Sequence, residues 1–254
     1  MIDILQTRLQ QKYRTMSWPD GPTPPLPAQF AGRPCMDAAK CNSCGACEKA
    51  CPVGAAQIVE GRPTLDTGRC LFCRACEKAC ARGALKFTKE FRMAAAQRGD
   101  LTVSQAQQAF PAAQVEKARQ YFGRSLKLRQ VSAGGCNACE ADTNVLGTVG
   151  WDLGRFGIQF VASPRHADGL LITGPVSVNM RHALEKTYAA VSSPKIVIAC
   201  GSCAIAGGPY AGHPEVCGGA MSVVPVDLFI PGCPPHPLTI LDGLLRFVGR
   251  ISEG

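Results

Sequence analysis

The chain has 254 residues, fifteen of them cysteine, a formal net charge of +8 and only 6% aromatic side chains. No stretch approaches the roughly 20 apolar residues that cross a bilayer, and the opening MIDILQTRLQQKYRTMSW has neither the basic-then-apolar order of a secretory leader nor twin arginines, so neither export nor membrane spanning is expected. C-x-x-C repeats without such a leader favour metal ligation in a reducing cytosol over a disulfide framework.

The length suits one sizeable domain and a smaller one. With 27 glycines and 19 prolines, loops take a large share of it. The charge is uneven: residues 1–34 carry +2, 35–87 carry +3, 88–130 carry +5 and 131–254 carry −2.

Residues 1–34 read as an arm. The first sixteen suit a turn or two of amphipathic helix, and residues 18–34 hold six prolines. Such a segment lacks helix and ladder donors and runs extended. It is expected to lie on a partner or on the next domain.

Residues 35–88 contain an internal repeat. CNSCGACEKACPVGAA (41–56) and CLFCRACEKACARGAL (70–85) are offset by 29 residues and identical at ten of sixteen positions. Each is C-x-x-C-x-x-C-x-x-x-C, the bacterial ferredoxin run, in which three thiolates hold one iron–sulfur cube and the fourth cysteine reaches the other cube. That pattern assigns Cys41, Cys44, Cys47 and Cys80 to one [4Fe–4S] cluster, and Cys51, Cys70, Cys73 and Cys76 to a second. Small residues such as Gly45, Ala46 and Ala75 leave room for backbone N–H groups to approach sulfur. A zinc ribbon needs two C-x-x-C pairs rather than two full quartets. The stretch resembles two-cluster bacterial ferredoxins, which implies a compact pseudo-twofold α+β fold. Cys35 has no place in the pattern and reads as a spare small apolar residue.

Residues 89–124 read as a basic helical connector. MAAAQ, VSQAQQAF and AAQVEKARQYF have helix-forming composition, with Pro111 as a start or break and Gly123 as a stop. Its charges are expected on a solvated face or against an acidic partner. No nucleic-acid motif or interleaved aromatics accompany them.

From residue 125 to 254 strand-like and helix-like runs alternate: LKLRQV, IQFVAS, GLLITG, KIVIAC and VPVDLFI as strands, VNMRHALEKTYAAV and PLTILDGLLRFVGRI as helices. The fold class is α/β, a flavodoxin-like parallel sheet preceded by the small ferredoxin-like domain. GGCNAC, GSCAIAGG and PGCPP each follow a strand, so Cys136, Cys139, Cys203 and Cys233 converge outside the carboxyl ends of the strands. Four converging thiolates suit a [4Fe–4S] cluster or zinc.

Four stretches, GGCNACE (134–140), RFGIQFVASPRHADGLLITGPV (155–176), GSCAIAGG (201–208) and PVDLFIPGCPP (225–235), resemble the small subunit of [NiFe] hydrogenases, above all the membrane-linked, energy-converting kind typified by formate hydrogenlyase, and the related B-type subunit of respiratory complex I. The resemblance implies that Cys136, Cys139, Cys203 and Cys233 ligate a proximal [4Fe–4S] cluster, making three in all, and that the nickel–iron centre sits on a separate large subunit. It further implies an electron-transfer subunit without catalytic residues of its own, held at the inner face of the cytoplasmic membrane by membrane-embedded partner subunits, and exchanging electrons with a soluble donor, an acceptor or a neighbouring subunit. Two alternatives are a complex I-like large subunit that lacks nickel and uses quinone or another carrier, and a structural iron–sulfur assembly module. Glu140 reads equally as a proton-route residue and as a helix N-terminal carboxylate. Asp142 reads as an exposed first-turn charge, Cys200 as a buried spare thiol, and His236 as a loop histidine near Cys233; Cys217 is left without a role. Ala204, Ile205, Pro234 and Pro235 are expected on an exposed face that docks the large subunit.

Overall fold

The computed structural model describes residues 2–104 and 120–251. The arm begins with a helix, α1 (Ile2–Gln11), none of whose residues is buried. Beyond it the chain is stitched to the second half rather than to the nearby repeat. The amide of Met16 donates to the Gly150 carbonyl at 3.0 Å, and the Arg155 guanidinium donates to the carbonyls of Met16 and Trp18 at 2.7 and 2.6 Å. Trp18 is buried in the main core, edge-on to Phe91. The proline-rich stretch is clamped by Lys89, whose ammonium donates to the carbonyls of Pro27, Ala28 and Phe30.

The repeat builds a pseudo-symmetric unit of β1 (Pro34–Met36), α2 (Ala46–Ala50), β2 (Ala56–Val59), β3 (Arg62–Asp66), α3 (Ala75–Ala79) and β4 (Leu85–Phe87). β1 pairs antiparallel with β4, and β2 with β3. Both short helices have the sequence ACEKA and follow a left-handed residue, Gly45 (φ 72°) or Arg74 (φ 61°). Arg74 pairs with Glu77 there. The repeated glutamate does the same work twice: Glu48 accepts from the amide of Ile58 at 2.7 Å and Glu77 from that of Phe87 at 3.3 Å, each tying its helix to the strand ten residues on.

The stretch after β4 departs from the sequence expectation. MAAAQ is not helical. Met93, Ala94 and Ala95 are buried, and Ala95 exchanges both backbone hydrogen bonds with Phe229, at 3.0 and 2.8 Å, on the edge of the large sheet. Helix propensity is a weak prior, and here satisfying an edge strand and burying three apolar residues outweighs it. After a 3₁₀ turn (Arg98–Leu101), β5 (Thr102–Val103) adds a third strand to the repeat's hairpin beside β3. Among the described charges of this stretch, Glu90 pairs with Arg92 and Arg98 with Asp66, all half-buried, while Lys89, Asp100 and Arg124 are exposed. All of VSQAQQAF after Ser104 and most of AAQVEKARQYF, with Pro111, lie outside the described residues, while Val103 is in β5 rather than a helix; residues 120–122 are helical, and the helix stops at Gly123 as expected.

The second half is the expected parallel α/β domain. Its elements are β6 (Leu126–Ser132), α4 (Ala138–Val145), β7 (Ile158–Phe160), β8 (Gly169–Thr173), α5 (Val178–Ala190), β9 (Ile196–Cys200), α6 (Ser202–Ala206), β10 (Leu228–Ile230) and α7 (Pro237–Phe247). The sheet runs β10-β9-β8-β6-β7, all parallel. Numbered within the domain this is the flavodoxin order 2-1-3-4-5, whose crevice lies where the order reverses, between β6 and β8. Strand alternation sorts the core onto two faces. Leu171, Ile198 and Ile230 pack under α7 with Leu241 and Leu245, while Leu170, Ile172, Val197 and Phe229 pack on the other side with Leu184 of α5. Each such side chain contributes about 1.5–3 kcal/mol by leaving water. VPVDLFI yields only the three-residue β10, because Asp227 turns its carboxylate back to the amide of Val197 at 2.8 Å and ends the ladder.

Candidate iron–sulfur sites

The first-run quartet, Cys41, Cys44, Cys47 and Cys80, rings a cavity of about 120 Å³ whose remaining lining is mostly small or apolar, among it Gly45, Ala46, Ile58 and Leu85. Backbone amides point at its sulfurs, from Ser43 to Cys41 Sγ (3.4 Å) and from Ala84 to Cys80 Sγ (3.3 Å). Burial pushes the Cys80 thiol up, but backbone N–H groups from residues 82–85 outweigh it and leave the thiol below its ordinary value.

The second-run quartet repeats this geometry. The amide of Phe72 donates to Cys70 Sγ at 3.2 Å and that of Ala55 to Cys51 Sγ at 3.1 Å. Burial pushes the thiol of Cys70 up to about 12, with Cys76, Cys51 and Cys73 as its charged neighbours; Cys76 is pushed up to about 11 by burial and by Cys51. Cys51, from the first run, therefore lies beside Cys70 and Cys76 of the second.

The C-terminal quartet is assembled by three loops. Cys136 follows β6, Cys139 stands in the first turn of α4 behind left-handed Asn137 (φ 69°), Cys203 lies in α6, and Cys233 follows β10. Burial raises Cys139 well above the usual thiol range, with Cys200, Cys203, Glu140 and Cys233 adding to it; Cys203 is pushed up to about 11 by burial, Cys233 and Cys136. Backbone is packed tightly around the sulfurs. A Cβ on Gly201 would stand 2.6 Å from Cys139 Sγ, and one on Gly208 2.6 Å from Cys203 Sγ.

These sites fit iron–sulfur clusters by donor chemistry. Buried thiols crowded against one another resist ionising, and a cationic metal core relieves that penalty, while amides aimed at sulfur support the charge of ligated thiolate. Among the described residues no three or more Cys, His, Asp or Glu close to single-ion spacing; the first-run quartet rings a space instead.

Residues 136–247 match the family described as NADH ubiquinone oxidoreductase, 20 Kd subunit, and residues 40–85 match the 4Fe-4S dicluster domain. The chain is 38% identical to the probable membrane-bound hydrogenase subunit mbhJ of Pyrococcus furiosus, over 52% of this chain and 80% of that protein. It belongs to the 20 kDa subunit family. A second relative, the B-type NADH-quinone oxidoreductase subunit of Heliobacterium modesticaldum, is 39% identical over 47% of this chain and 69% of its own length. Formate hydrogenlyase subunit 7 of Escherichia coli is 41% identical over 51% of each. The chain thus joins a 20 kDa-family domain to an iron–sulfur dicluster domain, and its relatives are subunits of oxidoreductase complexes.

Around the 20 kDa-family domain's quartet the remaining residues take definite places. Glu140 is buried, and its Oε1 accepts from the hydroxyls of Ser132 and Thr173, both at 2.6 Å. Burial raises its carboxyl, but the two hydroxyls outweigh that and hold it below the ordinary range. It plugs the sheet between the ends of β6 and β8. Asp142 is half-buried, not exposed as expected, and burial raises its carboxyl; it lines a cavity of about 280 Å³ with Phe30, Phe72, Cys233 and His236. His236 caps α7, its Nδ1 accepting from the amide of Leu238 at 3.1 Å, with its ring edge-on to Phe30 and Trp151. Cys200 is fully buried in the core, as expected. Cys217 is half-buried at the margin of the second core, and Cys35 lies on β1 opposite Lys86.

The docking face is corrected. Ala204 is 0% and Ile205 4% exposed, and Pro235 is buried; only Pro234 faces solvent. The repeat unit covers this loop: a Cβ on Gly68 would meet Ile205 Cγ2 at 2.9 Å. GSCAIAGG was legible as a ligand loop, whereas the roles of Gly68 and of Ser202, whose Oγ lies 2.6 Å from the carbonyl oxygen of Cys70, in packing the two halves together carried no sequence signal.

Proposed function

We propose that the chain holds three [4Fe–4S] clusters, one in each quartet, and acts as the non-catalytic electron-transfer subunit of a hydrogenase-like membrane complex whose reaction centre lies on a separate large subunit. The observation that carries this is the convergence of twelve cysteines from distant parts of the chain into three sets of four. A bound [4Fe–4S] cluster supplies one-electron transfer. The protein's own part is to bind and to hold still. Left-handed Gly45, Arg74 and Asn137 aim the ligand turns, backbone amides support the sulfurs, and close packing at Gly201 and Gly208 keeps side chains away from Cys139 and Cys203. Glu140 is a fixed hydrogen-bond acceptor behind Cys139, held by the hydroxyls of Ser132 and Thr173.

No described helix is long and apolar enough to cross a membrane, so attachment to one would run through partner subunits. The relatives named above belong to hydrogenase, formate hydrogenlyase and NADH–quinone oxidoreductase systems, which supports such partners and leaves two large-subunit types, with and without nickel. Anaerobically purified chain should contain about twelve iron and twelve labile sulfide, four of each per quartet; stoichiometric zinc, or about eight iron, would overturn the three-cluster reading. Nickel bound to the copurified large subunit would separate the hydrogenase type from the quinone-linked one.

A further inference from the structure

None of the residues of α1 is buried, and its four large apolar side chains, Ile2, Ile4, Leu5 and Leu9, are between 62 and 77% exposed. Tyr13, just past its end, is 85% exposed. These five are nearly half of the eleven large hydrophobic side chains that stand exposed among the described residues. Exposure is therefore concentrated on this short element rather than scattered singly, as it is on an ordinary surface.

The side chains follow a helical order. Ile2, Leu5 and Leu9 share one side of α1, Asp3, Thr7 and Gln10 lie on the other, and Ile4 and Arg8, four residues apart, stand together on a flank. Arg8 also closes the helix. Its Nη1 donates to the Lys12 carbonyl at 2.8 Å, and its guanidinium carbon lies 4.7 Å from the centroid of the Tyr13 ring. Lys12 and Arg14 follow, both exposed. Residues 1–16 thus set three cations, Arg8, Lys12 and Arg14, against one acidic side chain, Asp3.

We infer that α1 lies in the surface of an anionic lipid bilayer, with Ile2, Leu5 and Leu9 sunk at the boundary of the acyl chains and Arg8, Lys12 and Arg14 against the lipid phosphates. This goes beyond attachment through partner subunits and does not depend on how many clusters the chain holds. A narrow apolar side with cations rather than mixed charge beside it is the pattern of an interfacial helix, and a tyrosine belongs at the same boundary. Ten residues of helix span only about 15 Å, half the thickness of a bilayer core, so α1 lies along the surface and does not cross it. A protein groove would have to supply a separate carboxylate for each cation, whereas a sheet of phosphates meets all three at once.

The helix is moored to the second half of the chain. Thr15 Oγ1 donates to the Val149 carbonyl and the Met16 amide to the Gly150 carbonyl, both at 3.0 Å, and Trp18 is buried in the main core. Val149 is itself 71% exposed and extends the apolar surface at the mooring. One such helix binds weakly by itself, and a complex already at the membrane raises its effective concentration there. With so short a tether, the lipid contact bears on the orientation of the α/β domain as well as on its address.

The full iron-loaded chain, floated with vesicles of phosphatidylcholine alone or with about 30% phosphatidylglycerol added, tests this. It should rise with the anionic vesicles and at least about fivefold less with the neutral ones. Other basic surface would favour anionic vesicles too, so the apolar side chains decide. Replacing Leu5 and Leu9 together with Gln should lower binding to anionic vesicles at least about fivefold, and replacing Lys12 and Arg14 together with Gln should remove the preference for them. All four side chains are exposed, so the unfolding midpoint and iron content of both variants should match the parent. Equal flotation with both kinds of vesicle, or unchanged flotation of the Leu5→Gln, Leu9→Gln chain, overturns the inference. If that chain floats like the parent but loses its copurified large subunit, the apolar side is a protein contact instead. The iron content of the parent reports on the three-cluster reading separately.

Discussion

Arg98 makes two hydrogen bonds to the carboxylate of Asp66, at 2.8 and 2.6 Å, and Asp66 Oδ1 also accepts from the amide of Gly68 at 2.9 Å. The planar guanidinium meets both carboxylate oxygens, a geometry a lysine cannot reproduce. It thereby pins the segment leaving the repeat to the turn that leads into the second cysteine run. Both side chains are about three-quarters buried, with 27% and 21% exposure, so removing one leaves the other partly desolvated. Arg98→Ala should cost about 1–3 kcal/mol and Arg98→Lys less. Denaturant unfolding of the iron-loaded chain measures this, and a loss within about 0.5 kcal/mol would show the pair to be a mere surface contact.

The crossed ligation can be read separately for each half of the repeat. Cys51 stands beside Cys70 and Cys76, and Cys80 shares a cavity with Cys41, Cys44 and Cys47. Replacing Cys51 with Ser should shift or abolish the resonance signal of the cluster held by the second run and leave that of the first run intact. Loss of the first-run signal instead would mean that the two runs do not exchange their fourth ligands.

Most of this architecture was legible because its signals are local and chemical. Cysteine spacing marks the ferredoxin runs, and strand-like runs alternating with helix-like ones mark the parallel sheet. What failed depended on contacts between distant parts. MAAAQ has helical composition, yet Ala95 pairs with Phe229, about 130 residues away in sequence, and an edge strand's need for partners is invisible in the five residues themselves. Ile205 reads as free to dock a partner because nothing in GSCAIAGG says that Gly68 will cover it. Asp142 reads as a solvated first-turn charge, but the arm and the Cys233 loop close over its side of α4.

Asp242, on α7, is 1% exposed, and burial pushes its carboxyl up to about 6 despite the partly offsetting bond to Arg246 at 3.0 Å. The folded value lies above the unfolded one, so the folded state binds this proton more tightly. The contribution to stability is fully present below the unfolded carboxylate value, near 3.8, and is lost as pH rises through about 6. Asp242→Asn has no such charge to bury. The stability difference, variant minus parent, should therefore rise between about pH 4 and pH 6 and level off by about pH 7. A difference that stays flat across that window in chemical unfolding would mean that Arg246 compensates the buried charge fully.

Ile205 supplies the sharpest contrast between the sequence expectation and the fold. On an exposed docking face, Ile205→Glu would leave the chain itself sound and remove only its partner. In the structure Ile205 is 4% exposed and sits in the core of the α/β domain, with the repeat unit packed over it at Gly68. The Arg98 guanidinium, which also packs on Gly68, is already paired with Asp66, so a carboxylate there is poorly compensated, and the lost apolar packing adds to its desolvation, together roughly 3–5 kcal/mol. Ile205→Glu should thus lower the unfolding midpoint of the isolated chain and expose the seam between its halves to protease. Ile205→Val, which keeps the cluster apolar, should cost only about 0.5–1.5 kcal/mol. A stable, protease-resistant Ile205→Glu chain that has lost nothing but its large subunit would restore the docking-face reading and place the seam elsewhere.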